Sequence, residues 1–226
     1  GTSDSSSVGN TNMLSDYAAI KNGSYGKLMK AYYAKQDAEK LSGKGDTSQK
    51  LTLMKTSADS LKKSADALND SSLWEKKKIK KKDEKTGEEI EVEDYDWDKI
   101  TKAVKSFVED YNDVVKEAGE SNTKDVLRNA SWMTGMTDKN SNMLAKIGIT
   151  IGKGNKLELD EDALKQADIS SLKTVFTGYN SFVSKISQKA TGISNAANRA
   201  SATYTNNGTY SKTDSSLTSS KIDKEV

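Results

Sequence analysis

Apolar residues recur at helical spacing in three stretches of the chain. Leu51, Met54, Ala58, Leu61, Ala65 and Leu68 advance by alternating threes and fours, which lays them along one stripe of a helix of about five turns. Ile100, Val104, Phe107, Tyr111, Val114 and Ala118 repeat the pattern. The longest stretch begins after Ser170, a residue type suited to an N-cap. It keeps one face through Leu172, Val175, Tyr179, Phe182, Ile186, Ala190, Ile193, Ala197, Ala200 and Tyr204. Unbroken, that helix would be about 50 Å long, with Gly192 its weak point. The expected packing sets residues 50–70 against 99–118 and 171–204. The Leu51–Leu68 stripe is read first as the core-facing side of an intramolecular bundle, and otherwise as a coiled-coil seam.

Weaker patterns lie between and before these. From Leu14 to Leu41 the helical pattern is interrupted by the glycines of "KNGSYG" (21–26), so a second helix is expected to carry Leu28, Met29, Tyr32 and Tyr33. Residues 123–147 predict a helix through Val126, Ala130, Met133 and Leu144, interrupted at Gly135. The period then becomes two. Ile147, Ile149 and Ile151 alternate, Gly152 to Asn155 turn, and Leu157 and Leu159 alternate back, which predicts a β-hairpin over 147–159. Asp160 then caps the short helix "EDALKQA". Residues 1–12 and 205–226 are small, polar and aperiodic. They read as flexible segments flanking a body of residues 13–204.

The stretch "KKKIKKKDEKTGEEIEVED" (76–94) sets lysines beside a run of acids. Pairing Lys82 with Glu89 also pairs Lys80 with Glu91 and Lys78 with Glu93 on one face. Ile79 then meets Val92 on the other, and "EKTG" (84–87) becomes a four-residue turn. Continued outward, the register sets Trp74 against Trp97 as an aromatic clamp, giving a hairpin over 74–97. The alternatives are a solvated charge run and a nucleic-acid arm.

Composition narrows the classes. Of 226 residues, 34% are apolar and 30% charged, which suits long helices with one dry stripe better than a thick globule. The formal net charge of +2, from 35 basic and 33 acidic side chains, provides no global field to attract nucleic acid or an anionic membrane. The chain has no Cys, His or Pro. Thiol and imidazole nucleophiles, His-based triads and the commonest zinc ligands are therefore excluded, and long helices meet no proline. No apolar run reaches the roughly 18 residues of a membrane span. The first residues, "GTSDSSSVGN", lack the regions of a cleavable signal peptide and can equally be a cut edge.

Candidate chemistry is thin. "GITIGKGNK" falls one residue short of a phosphate-loop spacing, and Gly154 stands where a magnesium-binding hydroxyl belongs. "DEDALKQAD" starts like a calcium loop, but Lys165 and Ser171 occupy the positions that need Gly and Glu. The adjacent Glu109 and Asp110 point apart on a helix. No cofactor, metal site or catalytic residue is expected.

A resemblance is carried by "VKSFVEDYNDVVKEAG" (104–119), "LAKIGITIGKGNKLELDEDALKQA" (144–167) and "LKTVFTG" (172–178). Their order resembles the C-terminal region of the flagellar filament-cap family, hook-associated protein 2. The matching positions are Phe107, Val108, Tyr111 and Asn112; Leu144, Ile147, Gly148 and Ile149; Leu157, Leu159 and Asp160; and Phe176 with Gly178. Asn155 stands where that family usually has Gly. The resemblance implies an extracellular axial protein, exported without a cleaved signal, that forms homo-oligomers and assembles with flagellin or other axial proteins. That family also carries large β-rich domains between its terminal helices, whereas here only the charged hairpin occupies that place.

The reading is thus a mainly α, elongated bundle with coiled-coil character and two small β-hairpins, near 74–97 and 147–159. Its function is structural and non-catalytic, in flagellar assembly. The alternative is a secreted, adhesin-like surface-binding module. In the first reading the working residues are packing residues: the resemblance positions, and the seam of Leu51, Met54, Leu61, Leu68, Val175, Tyr179, Phe182 and Ile186; the alternative would work by presenting the hairpins.

Overall fold

The computed structural model describes residues 45–208. The helix expected to carry Leu28, Met29, Tyr32 and Tyr33, the segment 1–12 and the tail beyond Gly208, both expected to be flexible, lie outside the described residues. Within them the chain is mainly α, with seven helices and two separate two-stranded antiparallel sheets.

Helix α1 (Ser48–Leu68) starts at Thr47, whose hydroxyl accepts from the Lys50 amide at 3.2 Å. It buries all six predicted seam residues. Strands β1 (Lys77–Lys82) and β2 (Glu89–Asp94) follow, then α2 (Trp97–Gly119), α3 (Lys124–Lys139) and the short α4 (Ser141–Ala145). Strands β3 (Ile149–Ile151) and β4 (Leu157–Leu159) lead to α5 (Glu161–Gln166), α6 (Ile169–Phe176) and α7 (Phe182–Gly208).

Four long helices, α1, α2, α3 and α7, make the body. Helix α1 lies between α2 and α7, and α3 packs on α7. Neighbours run antiparallel, because partners drift oppositely in sequence: Ser187 and Ser194 of α7 donate to Asp66 and Asp59 of α1, at 2.7 and 2.6 Å. The carboxylates are one heptad apart, as are the serines and the lysines Lys55 and Lys62 that pair with them on α1. Ala58 and Ala65 of α1 and Ala190 and Ala197 of α7 are buried in the same core, small side chains that suit close helix approach. At one end of the bundle the buried Asp46 carboxylate accepts from the Ser121 hydroxyl, the Asn122 amide and the Thr123 hydroxyl, at 2.7, 2.8 and 2.6 Å. This ties the start of α1 to the α2–α3 corner.

The first hairpin has the expected register: Lys78 faces Glu93, Ile79 faces Val92, Lys80 faces Glu91 and Lys82 faces Glu89. Its loop is residues 84–87, with Gly87 at φ +71° and Asp83 accepting from the Lys85 and Thr86 amides. The register does not reach the tryptophans. Trp74 sits in a 3₁₀ turn (Ser71–Trp74), buried, stacked on Phe176 with centroids 5.7 Å apart, and donates from its indole to Leu68 O at 2.7 Å. Trp97 packs edge-on to Tyr95 instead. A buried aromatic partner and a carbonyl acceptor offer Trp74 more than an exposed cross-strand contact would.

The long third seam is not one helix. Helix α6 begins after Asp168, not after Ser170, whose hydroxyl donates to the Asp168 carboxylate. The chain leaves the helix at Thr177, passes Gly178 at φ +99° and restarts at Phe182. Tyr179, expected on the seam, is 82% exposed in that break. Gly192 lies inside α7 without interrupting it, in a close crossing where an added Cβ would meet the Asn129 carboxamide. Gly135 likewise lies within α3, and the break falls at Asn140. The helix runs on to Gly208, past the expected start of the flexible tail at 205.

Candidate functional site

The resemblance positions converge where the second hairpin meets the bundle. Phe107, fully buried on α2, touches three rings: Tyr111, Phe176 and Phe182, with centroids 6.2, 6.4 and 6.3 Å away. With Trp74 stacked on Phe176, five aromatics join α2, α6, α7 and the 3₁₀ turn. Val108 is buried beside them. The Tyr111 hydroxyl donates to Thr137 Oγ1 at 2.8 Å, and Thr137 donates to Met133 O, so the one polar atom of this buried ring is satisfied. Burial pushes the Tyr111 phenol well above its ordinary range, against the opposing pull of that hydrogen bond.

Asn112 positions the hairpin. Its carboxamide nitrogen donates to Leu157 O at 2.9 Å, and its oxygen accepts from Leu157 N at 2.7 Å. The side chain thereby pairs with β4 as a strand would, and Leu157 and Ile149 are pressed into the core. Leu144 and Ile147 are buried too, Ile147 in the turn before β3 rather than in the strand, while Leu159 is half-buried.

Gly148 closes the other end. It adopts φ +85° and accepts from the Asp160 amide at 2.8 Å; an added Cβ would sit 2.7 Å from Asp160 O and 2.9 Å from Leu164 N. Asp160 caps α5 by accepting from the Ala163 amide. Asn155, where the family usually has Gly, adopts φ +60°, a conformation that accounts for either residue there.

Gly178 is held by a second carboxamide. Its amide donates to Asn69 Oδ1 at 2.8 Å, and Asn69 Nδ2 donates back to Gly178 O at 3.4 Å. Asn69 just beyond α1 therefore fixes the break between α6 and α7. Of the seam residues, Leu51, Met54, Leu61, Leu68, Val175, Phe182 and Ile186 are buried, and Tyr179 is not.

Sequence reading assigned no role to Asn69, Asp46, Ser187 or Ser194. The heptad spacing of Lys55–Lys62 and Asp59–Asp66 was the one available signal. Asn69 and Asp46 find their partners across long sequence separations, for which no local pattern exists.

Among the described residues no group of three or more acidic side chains is placed to hold a metal ion, and no helix is long and apolar enough to cross a membrane. The polar groups at the convergence point hold backbone, not a ligand. The fold and site define a helical module whose polar contacts at the convergence point hold one segment against another.

Its kinship is narrower than that class. Residues 121–225 match the family model described as flagellar hook-associated protein 2 C-terminus, and this part of the chain is similar to that region. The match covers Leu144 to Gly178 but leaves Phe107, Val108, Tyr111 and Asn112 outside, so the Asn112–Leu157 pairing joins the matched region to the helix before it. No curated protein and no solved structure matches the chain.

Proposed function

We propose that the chain is a non-catalytic structural protein of the bacterial flagellum, related in role to the hook-associated cap proteins. It acts outside the cell against flagellin or other axial subunits. The observation that carries this reading is the family match over 121–225, whose matched positions are used to fix segment geometry rather than to present reactive groups. The antiparallel α1–α7 pair supports it as a stiff rod. Residues 209–225 lie within the matched range and follow directly on α7 in the chain, and they are the segment proposed to engage neighbouring axial subunits.

The test is co-sedimentation of the full chain, and of a chain ending at Gly208, with sheared flagellar filaments, alongside polymerisation of purified flagellin. The full chain is expected to pellet with filaments and alter polymerisation, and the shortened chain to do neither. A full chain that leaves both unchanged rejects the reading.

A further inference from the structure

The β1–β2 hairpin is unusual in being left so open. It is a two-stranded sheet, and only Ile79, Val92 and Asp94 of its strand residues are even half-buried. Two-stranded hairpins without a supporting layer are marginal in water. This one also bears Ile90 exposed on the same face as Ile79 and Val92.

Its two edges differ in sign. Strand β1 reads Lys-Lys-Ile-Lys-Lys-Lys and β2 reads Glu-Ile-Glu-Val-Glu-Asp. Within the hairpin the charges of one face are only loosely paired: Lys78 reaches Glu91 at 3.8 Å and Lys80 reaches Glu89 at 4.0 Å, both diagonal to the register and well exposed.

Backbone parity sharpens the point. The Asp83 amide donates to Glu88 O at 2.8 Å, which makes that pair a hydrogen-bonded one. The antiparallel ladder alternates, so Ile79–Val92 and Lys81–Ile90 point their amides inward. Lys78, Lys80 and Lys82 on β1, and Glu89, Glu91 and Glu93 on β2, therefore point theirs to the open edges. Among the described residues no third strand pairs with either edge, so each offers backbone groups flanked by side chains of a single sign.

We infer that this hairpin is a self-association site in which the lysine edge β1 of one copy adds to the acidic edge β2 of the next by strand pairing. Charge complementarity selects the occupant. A two-fold dimer through like edges would set lysine against lysine or glutamate against glutamate, and is disfavoured. Pairing β1 to β2 leaves one free edge of each kind at the two ends, so association is head-to-tail and continues into a ring or a filament. The surface needs no flagellin, and the inference goes beyond the role proposed above.

The test is light scattering and sedimentation velocity on the purified full chain from micromolar to near-millimolar concentration, at low and high salt. Wild type is expected to grow past a dimer with concentration, and to do so less at high salt, where exposed charges are screened. Lys80→Pro and Glu91→Pro each remove an outward amide and leave the inner ladder whole. Each is expected to weaken association at least tenfold, and more than Lys80→Gln or Glu91→Gln, with the bundle's helical signal unchanged. The chain with Lys78→Glu, Lys80→Glu and Lys82→Glu, mixed with the chain with Glu89→Lys, Glu91→Lys and Glu93→Lys, should associate when neither does alone. A wild type that stays monomeric, stops at a dimer, associates only when flagellin is added, or ignores both prolines overturns the inference. Because no flagellin enters the main experiment, its failure leaves the co-sedimentation result standing.

Discussion

Asn112 and Leu157 are joined by two hydrogen bonds, 2.9 and 2.7 Å long, that use both ends of one carboxamide and both polar groups of one residue's backbone. A helix side chain thus completes the ladder of a three-residue strand too short to hold itself in place.

Replacing Asn112 should therefore loosen the second hairpin. Asn112→Ala leaves the Leu157 amide and carbonyl without protein partners, at a cost of roughly 2–3 kcal/mol. Asn112→Asp should cost at least as much, because a carboxylate oxygen would face the Leu157 carbonyl. Urea unfolding measures both, and an unchanged midpoint for either would show that water replaces the carboxamide without loss.

Two glycines should respond oppositely to alanine. At Gly148 the left-handed φ and the nearby Asp160 and Leu164 backbone atoms forbid a Cβ, so Gly148→Ala is expected to cost roughly 2 kcal/mol or more. Gly135 is helical with nothing within 4 Å of a built Cβ, and Gly135→Ala should stabilise by roughly 0.5–1 kcal/mol. Thermal melts of the two variants decide, and a shift of the same sign in both would refute the assignment.

Acid should act on the α1–α7 row and on Asp110 in opposite senses. Burial raises the pKa of Asp59 and Asp66, but hydrogen bonds from Lys55 and Ser194, and from Lys62 and Ser187, outweigh it and hold both below 3.8. A depressed carboxylate stabilises the fold above its unfolded pKa, and that share is lost as pH falls through the folded value. Asp110 is raised, first by burial, opposed by the Ser64 hydrogen bond, and further by Asp113 and Glu109. Its ionisation therefore costs stability as pH rises through the folded value. Asp59→Asn and Asp66→Asn should lower the urea midpoint at about pH 7 and flatten the acid loss. Asp110→Asn should raise the midpoint at about pH 7 and confer no gain near pH 3. Variants that shift alike at both pH values would contradict this.

Much of the architecture was legible because it is local. The heptad stripe from Leu51 to Leu68 and that from Ile100 to Ala118 are the faces the bundle buries, since a helix with one dry stripe has one way to hide it. The first hairpin's register was legible because alternation, opposite charge and a terminal Gly87 agree on a single pairing. What misled was periodicity continued past its cause. The spacing from Leu172 to Phe182 suits a helix throughout, yet the helix stops at Phe176, and the break that follows holds Gly178 at φ +99° against Asn69, far away in sequence.

The sequence by itself thus determined most of the dry stripes, though not at Tyr179, and which strands pair, through the spacing of apolar side chains and the sign of charges within short reach. Only the tertiary structure decided where helices end and which polar groups hold them. The break at Gly178 rather than at Gly192, the packing of Trp74 on Phe176 rather than Trp97, and the pairing of Asn112 with Leu157 go with contacts between segments that only folding brings together. A backbone amide or an indole takes the partner that burial offers, and no local pattern names that partner in advance.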